Sequence, residues 1–206
     1  MRVFAGLLLA ASLLLAANTL EVFGHKWSVR DSSDWKVDQE GGTQILHLLT
    51  PREPLPGPRR PNQFAVADTH NFGDVAVEAD VRPHNRSLMI VFCYRDPAHF
   101  NYAHLSIDTG VKQSHHNGIF HVYDGERVRI SSPQGPAAFP ASGRWYHVKL
   151  THSAKSGAVQ VTVDGKAIPA LHAVDLSLTS GKVGLGSFDE TGDFKNVRIS
   201  GSSQEE

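Results

Sequence analysis

Read along its length, the chain offers one short strand after another and no sustained helical period. Residues 75–82 place Val75, Val77, Ala79 and Val81 on one side and Glu78, Asp80 and Arg82 on the other, the period of two expected of a strand with one face on a core. Residues 144–152 repeat the pattern, with Tyr146, Val148 and Leu150 facing away from Trp145, His147, Lys149 and Thr151. The apolar stretch 159–163 runs into Asp164-Gly165-Lys166, a hairpin signal of the type I′ kind. Similar segments at 35–38, 44–48, 88–95, 101–107, 118–123, 127–131, 182–188 and 194–199 are separated by Gly, Pro, Asp and Asn clusters. Such a series, with no helices between, predicts an all-β, two-sheet antiparallel β-sandwich of the jelly-roll type. The absence of a fixed-period repeat argues against a propeller or solenoid.

Around this unit the ends have simple readings. Met1-Arg2 followed by the apolar run Val3 to Ala17 matches a signal peptide, with a hydrophobic stretch too short to span a bilayer. Residues 1–18 are therefore expected to be removed on export, leaving 19–201 as a single domain and 202–206 as a disordered polar tail. A net charge of −1 and the lack of any basic stripe exclude nucleic acid as an expected partner. No membrane span is expected after signal cleavage. The single cysteine, Cys93, lies in the apolar run Leu88 to Cys93, where a buried, inert thiol is the default. An exported chain without disulfides fits a secreted or periplasmic bacterial protein. The prolines at 51, 54, 56, 58 and 61 mark a surface loop of polyproline character.

The segment Trp145 to Ile199 resembles the closing strands of concanavalin A-like lectin/glucanase and laminin G-like jelly rolls. The resemblance lies in Trp-Tyr-His-Val-Lys-Leu, Val-Gln-Val-Thr-Val-Asp-Gly-Lys, Ser-Gly-Lys-Val-Gly-Leu-Gly-Ser-Phe and Asp-Phe-Lys-Asn-Val-Arg-Ile. Trp27 and Trp35 before a first hairpin, with Val77-Glu78-Ala79-Asp80 later, are similar to the bacterial DUF1080 group, named for 3-keto-disaccharide hydrolases. This resemblance implies a carbohydrate partner and leaves activity open, because such folds host binding modules, hydrolases, lyases and silent structural domains alike. Retaining glucanases of this fold carry Glu-x-Asp-x-x-Glu on one strand. Here Pro83 stands at the second glutamate, after Glu78 and Asp80, so a two-carboxylate mechanism lacks its partner.

Chemistry-bearing residues crowd into 94–127, which holds five of the twelve histidines. Arg95, Tyr102, His115, Asn117, His121, Tyr123 and Arg127, with Asp80, are the expected sugar-binding residues, offering planar donors, amide forks and aromatic plates on a concave sheet face. If the domain is an enzyme, His104, His116 and Glu78 are the expected catalytic residues, with Arg95 or a metal holding substrate oxygen. Strand alternation suggests that Tyr102, His104, His121, Tyr123 and one of His115 or His116 share a surface, the adjacent pair pointing apart on an extended chain. A zinc-like ion could draw on His104, one of His115 or His116, His121 and Glu78 or Asp80, and calcium on Asp189, Asp193 and Asn196. No spaced signature such as His-Glu-x-x-His supports the zinc-like site, and three oxygen donors in a turn occur often by chance. Three functions follow: a glycan-binding domain, a His-centred hydrolase or lyase acting on 3-keto-sugar glycosides, and a non-catalytic interaction domain.

Overall fold

The structure is a computed structural model and describes residues 18–53 and 57–204. Residues 1–17, on which the signal-peptide reading rests, lie outside the described residues. Among the described residues fifteen strands follow in chain order: β1 (Thr19–Val22), β2 (His25–Ser28), β3 (Trp35–Glu40), β4 (Thr43–Leu48), β5 (Gln63–Ala67), β6 (Phe72–Pro83), β7 (Ser87–Asp96), β8 (His99–Ser106), β9 (Gly118–Tyr123), β10 (Glu126–Arg129), β11 (Tyr146–His152), β12 (Ala158–Val163), β13 (Lys166–Val174), β14 (Lys182–Ser187) and β15 (Gly192–Ser203). A one-turn helix α1 (Gln113–His116) stands between β8 and β9. They form two antiparallel sheets. One has eight strands in the order β1-β2-β5-β14-β7-β8-β9-β10, the other seven in the order β13-β12-β11-β6-β15-β4-β3.

The sequence pattern explains the layering. β6 lies between β11 and β15, and its Val75, Val77, Ala79 and Val81 are buried against the opposite sheet while Glu78, Asp80 and Arg82 face outward. The inner face of the eight-stranded sheet supplies Leu88, Ile90, Phe92, Ala103, Leu105 and Ile119 to the same core. Each Val, Leu, Ile or Phe side chain among them contributes about 1.5–3 kcal/mol by leaving water. At the β12–β13 turn Asp164 and Gly165 take φ of 49° and 75°, the left-handed pair that a type I′ hairpin needs. β13 carries Pro169 yet remains a strand because it is the edge of its sheet, where a missing N–H breaks no ladder. The final strand runs to Ser203, two residues past the expected end of the domain at 201, and Gln204 N still donates to Asn71 O at 2.9 Å.

One departure from a simple sandwich matters for function. Val91 and Met89 alternate with the core residues of β7, yet they too are buried, as are Phe100 and Tyr102 of β8 and Phe120 and Val122 of β9. With Phe64 and Val66 they make a second apolar cluster on the outer face of the eight-stranded sheet. The continuous apolar run Leu88 to Cys93 is the sequence mark of such a strand, covered on both faces. Cys93 itself is buried, and burial, with the nearby Asp175 carboxylate, pushes its thiol up to about 12, so it is unreactive.

Candidate functional site

The outer cluster is overlaid at one end by a polar cavity of about 300 Å³. β7 and β8 supply Ser87 and His104, with Arg86 just before β7; α1 supplies His115 and His116; β10 supplies Arg127. The turn after β14 adds Phe188, Asp189 and Glu190, and Arg59 reaches in from the proline-rich loop. Register fixes the alignment: His104 lies across from Met89 on β7 and Gly118 on β9, so its ring shares the outer face with Tyr102 and Phe120.

The loop bearing the histidines is held by backbone-directed side chains. Asn117 accepts at Oδ1 from Ser106 N (2.8 Å) and Ala138 N (3.0 Å) and donates from Nδ2 to Asp108 O (2.8 Å). Arg129 donates to Ser114 O (2.7 Å) and Asn117 O (2.5 Å), bracing the end of α1. Its guanidinium passes over Gly118, where an added Cβ would come within 2.4 Å of Arg129 Nη1. Glycine at 118 is what lets Arg129 approach and α1 dock.

The electrostatics of the cavity are set by burial. His104 is only 3 % exposed, and desolvation, helped by the His116 ring and nearby arginines, lowers its pKa to about 3, so it is neutral at physiological pH. Its Nε2 sits 2.9 Å from Ser87 Oγ, and its Nδ1 is sealed and without a partner among the described residues. A protonated Nδ1 would bury an unpaired N–H, so the favoured tautomer donates from Nε2 to Ser87, leaving that hydroxyl proton free to donate onward. His116 pairs through Nδ1 with Asp108 Oδ2 in a short contact, and its Nε2 is left as the open nitrogen. The rings of His104 and His116 stand 5.6 Å apart. Burial raises the pKa of Glu190, although Arg86 lies 3.2 Å away. Phe188 is stacked on His104 at 6.1 Å, and Arg59 and Arg127 lie over its ring at 5.1 and 5.3 Å.

The structure redistributes the expected site residues. His104, His115, His116 and Arg127 come together in the cavity, with Tyr102 buried beneath, stacked on Phe120 at 5.2 Å. His115 and His116 both line it because α1 replaces the extended chain on which they were expected to diverge. Asn117 is spent on the backbone and cannot serve as an amide fork for ligand. His121 and Tyr123 lie on the opposite face from Tyr102: the register pairs His121 with Asn101, and His121 Nδ1 faces Asn101 Oδ1 (3.0 Å) and Asp175 Oδ2 (3.2 Å). Arg95 is elsewhere on the same sheet, beside a larger, more apolar cavity of about 520 Å³ floored by Phe64, Val66 and Tyr94.

Glu78 and Asp80 belong to the other sheet. There Glu78 pairs with Lys149 (2.8 Å), and Asp80 with His147 (2.9 Å) and Asn196 (2.6 Å). Arg82 does not pair with either; its partner is Asp193 at 2.6 Å. The expected zinc set is thus divided between two sheets and two faces. The calcium set fails differently: Asp193 is enclosed by His47, Arg82 and His84, and Asp189 lies by Arg59. Among the described residues no group of three or more His, Cys, Asp or Glu is disposed to hold a metal ion.

Sequence reading missed Asp108, Arg59, Arg86, Ser87, Phe188 and Glu190. They come from four separate segments and carry no spacing signal; only the isolated polar start of the apolar β7 run, Arg86-Ser87, hints at a special position.

Comparison with family models and with curated protein sequences finds no match. Solved structures do match. A carbohydrate-binding module, CBM66, from Bacillus subtilis aligns at TM-score 0.56 and 16% identity over 81% of this chain and 94% of its own. A Parabacteroides distasonis protein provisionally described as a glycosyl hydrolase aligns at 0.56 and 13% over 84% and 92%. A GH43 protein from Bacillus licheniformis aligns at 0.57 and 14% over 86% of this chain and 36% of its own. With the two-sheet topology, these likenesses establish the fold as a two-sheet antiparallel jelly-roll β-sandwich.

Proposed function

We propose that the chain is an exported carbohydrate-binding domain that takes its ligand in the cavity above His104. The observation behind this is the convergence of guanidinium, imidazole, hydroxyl and carboxylate groups around one aromatic ring, Phe188, in a cavity of about 300 Å³. A sugar's hydroxyls call for that same mixture of planar donors and acceptors. The structural neighbours named for carbohydrate binding and glycosyl hydrolysis support the assignment. The apolar leader at residues 1–17 supports export. Isothermal titration against an oligosaccharide panel tests it. Ser87→Ala, which removes a buried donor, and Phe188→Ala, which removes the ring that positions Arg59 and Arg127, should each weaken binding about tenfold or more. Absence of binding to every glycan would sink the reading and leave the interaction-domain alternative.

A second reading, hydrolase or lyase, is favoured by one specific feature. Asp108 orients His116 through Nδ1 and leaves Nε2 facing its task, the arrangement of a general base. Burial of Glu190 keeps a neighbouring carboxyl closer to its protonated, acid form. On a 3-keto glycoside, the class implied by the DUF1080 resemblance, His116 would take the proton next to the ketone. The glycosidic C–O bond would then break, with Glu190 returning a proton to the leaving oxygen. Incubation with oxidised and unoxidised disaccharides decides between them: sugar release from the keto form alone, lost in His116→Gln, would establish the enzyme.

A further inference from the structure

The three arginines of the cavity are not equivalent. Arg86 is paired with Glu190 at 3.2 Å, and Arg59 faces Asp189 at 3.5 Å. Arg127 has no carboxylate within ion-pairing distance among the described residues; its polar contact is a long one, Nη1 to Tyr102 Oη at 3.5 Å. Its guanidinium instead lies over Phe120 at 5.1 Å and Phe188 at 5.3 Å. Rings on its faces strip water from the cation and hold its orientation, while the N–H donors at its edge remain available. An unpaired, partly desolvated guanidinium costs stability, so its retention in a cavity wall calls for an anion.

From this geometry we infer that the ligand is an acidic sugar, whose carboxylate is taken edge-on by Arg127 while Ser87 takes a ring hydroxyl. This rests on the carbohydrate reading of the same cavity and names its substrate class. The planar, two-oxygen carboxylate matches the guanidinium fork, and the side chain's fixed orientation means little entropy is lost on pairing. The acids already present do not compete for it: Asp189 lies by Arg59 and Glu190 by Arg86. His104, neutral and donating to Ser87, adds a hydrogen bond without adding charge.

The experiment is titration of the purified protein at pH 7 with four probes: uronate trisaccharides (galacturonate, glucuronate and mannuronate), their carboxyl-reduced neutral counterparts, sulfated trisaccharides, and sodium acetate. The expected result is binding of at least one uronate about tenfold or more tighter than its reduced counterpart, with acetate far weaker than either. That preference should shrink with added salt and vanish in Arg127→Met, whose apolar stem still covers Phe120, the acidic sugar losing about tenfold more affinity than its neutral counterpart. Arg127→Lys should retain part of it, and Arg95→Met all of it. Equal affinity for acidic and reduced sugars, preference for the sulfated probe, acetate matching the uronate, or a preference surviving Arg127→Met each overturns the inference while leaving carbohydrate binding intact. Failure of all the sugars to bind overturns the carbohydrate reading itself. Unchanged thermal unfolding of Arg127→Met separates lost recognition from lost folding.

Discussion

The outer faces of the two sheets begin from the same strand alternation and end as opposites. On the seven-stranded sheet the outward residues of β6 and β11 are Glu78, Asp80, His147 and Lys149, and they satisfy one another across the strands. Trp145, the large aromatic of that face, has Arg82 at 4.6 Å and Lys195 at 4.2 Å from its ring, so cations already occupy its π faces. On the eight-stranded sheet the outward residues are apolar or aromatic, and the segments above them bring in charge. There the cover leaves a cavity, a buried neutral histidine and an arginine without an acid. A face that completes its own pairs has no need of a ligand; a face overlaid by other segments keeps groups that only a ligand can complete.

If that contrast holds, the largest effect belongs to the apolar cluster under the cavity. Phe100→Ala should destabilise by about 3–5 kcal/mol, as much as a substitution in the inter-sheet core such as Phe92→Ala, because both rings are fully buried. Urea unfolding measures both, and a loss below about 1 kcal/mol for Phe100→Ala would mean that the cover is not a true second core.

Next comes His104. Its folded pKa, about 3, lies below the unfolded value near 6.5. The unfolded chain therefore binds the extra proton first, and stability contributed by the neutral form falls as pH drops below about 6.5, by roughly 1.4 kcal/mol per pH unit until the folded pKa is reached. At pH 4.5 the loss should be on the order of 2–3 kcal/mol. In His104→Gln, which keeps a polar partner for Ser87, the slope between pH 6.5 and 4.5 should be shallower by that amount. Parallel slopes for the two proteins would show that His104 is not held neutral.

This contrast also marks what could be read beforehand. The run Leu88 to Cys93 announces a doubly covered strand, and Val75 to Arg82 a singly covered one, because alternation records how many faces are wet. Alternation could place Tyr102 with His104, since they share a strand. Whether they share a face with His121 depends on the pairing of β8 with β9, and a shift of one residue reverses the answer; the actual register sets Tyr102 opposite Phe120 and His121 opposite Asn101. The pairing of His116 with Asp108, and the approach of Arg59 and Glu190, depend on loop paths and on residues distant in sequence, for which no local pattern exists. The fold was legible because it is local physics repeated; the cavity was legible only in its histidines and Arg127.

The seven-stranded face contains one exception, the fully buried Asp193, which receives His47 at 2.7 Å, Arg82 at 2.6 Å and His84 at 2.8 Å. Burial alone would raise its pKa, but the hydrogen bonds from His84, His47 and Arg82 outweigh it and hold the pKa below the ordinary value. A depressed carboxylate contributes stability that is fully present above the unfolded pKa of about 3.9 and is lost as pH falls through the lower folded value. Asp193→Asn should cost about 2 kcal/mol at pH 7 and lose less on acidification below pH 4 than the parent protein.

The smallest effect is expected where the surface ladder completes itself. Lys149 and Glu78 meet at 2.8 Å, with their side chains 44% and 31% exposed. Water screens such a pair, and ordering two long side chains offsets much of the attraction, so the coupling from a Glu78→Gln, Lys149→Met double-mutant cycle should be about 0.2–1 kcal/mol and shrink in high salt. Neither single change should alter glycan affinity, since both residues lie on the sheet opposite the cavity. If Glu78→Gln reduced binding or turnover by about tenfold or more, the ligand would have to reach the seven-stranded face, and assigning recognition to the eight-stranded face alone would fail.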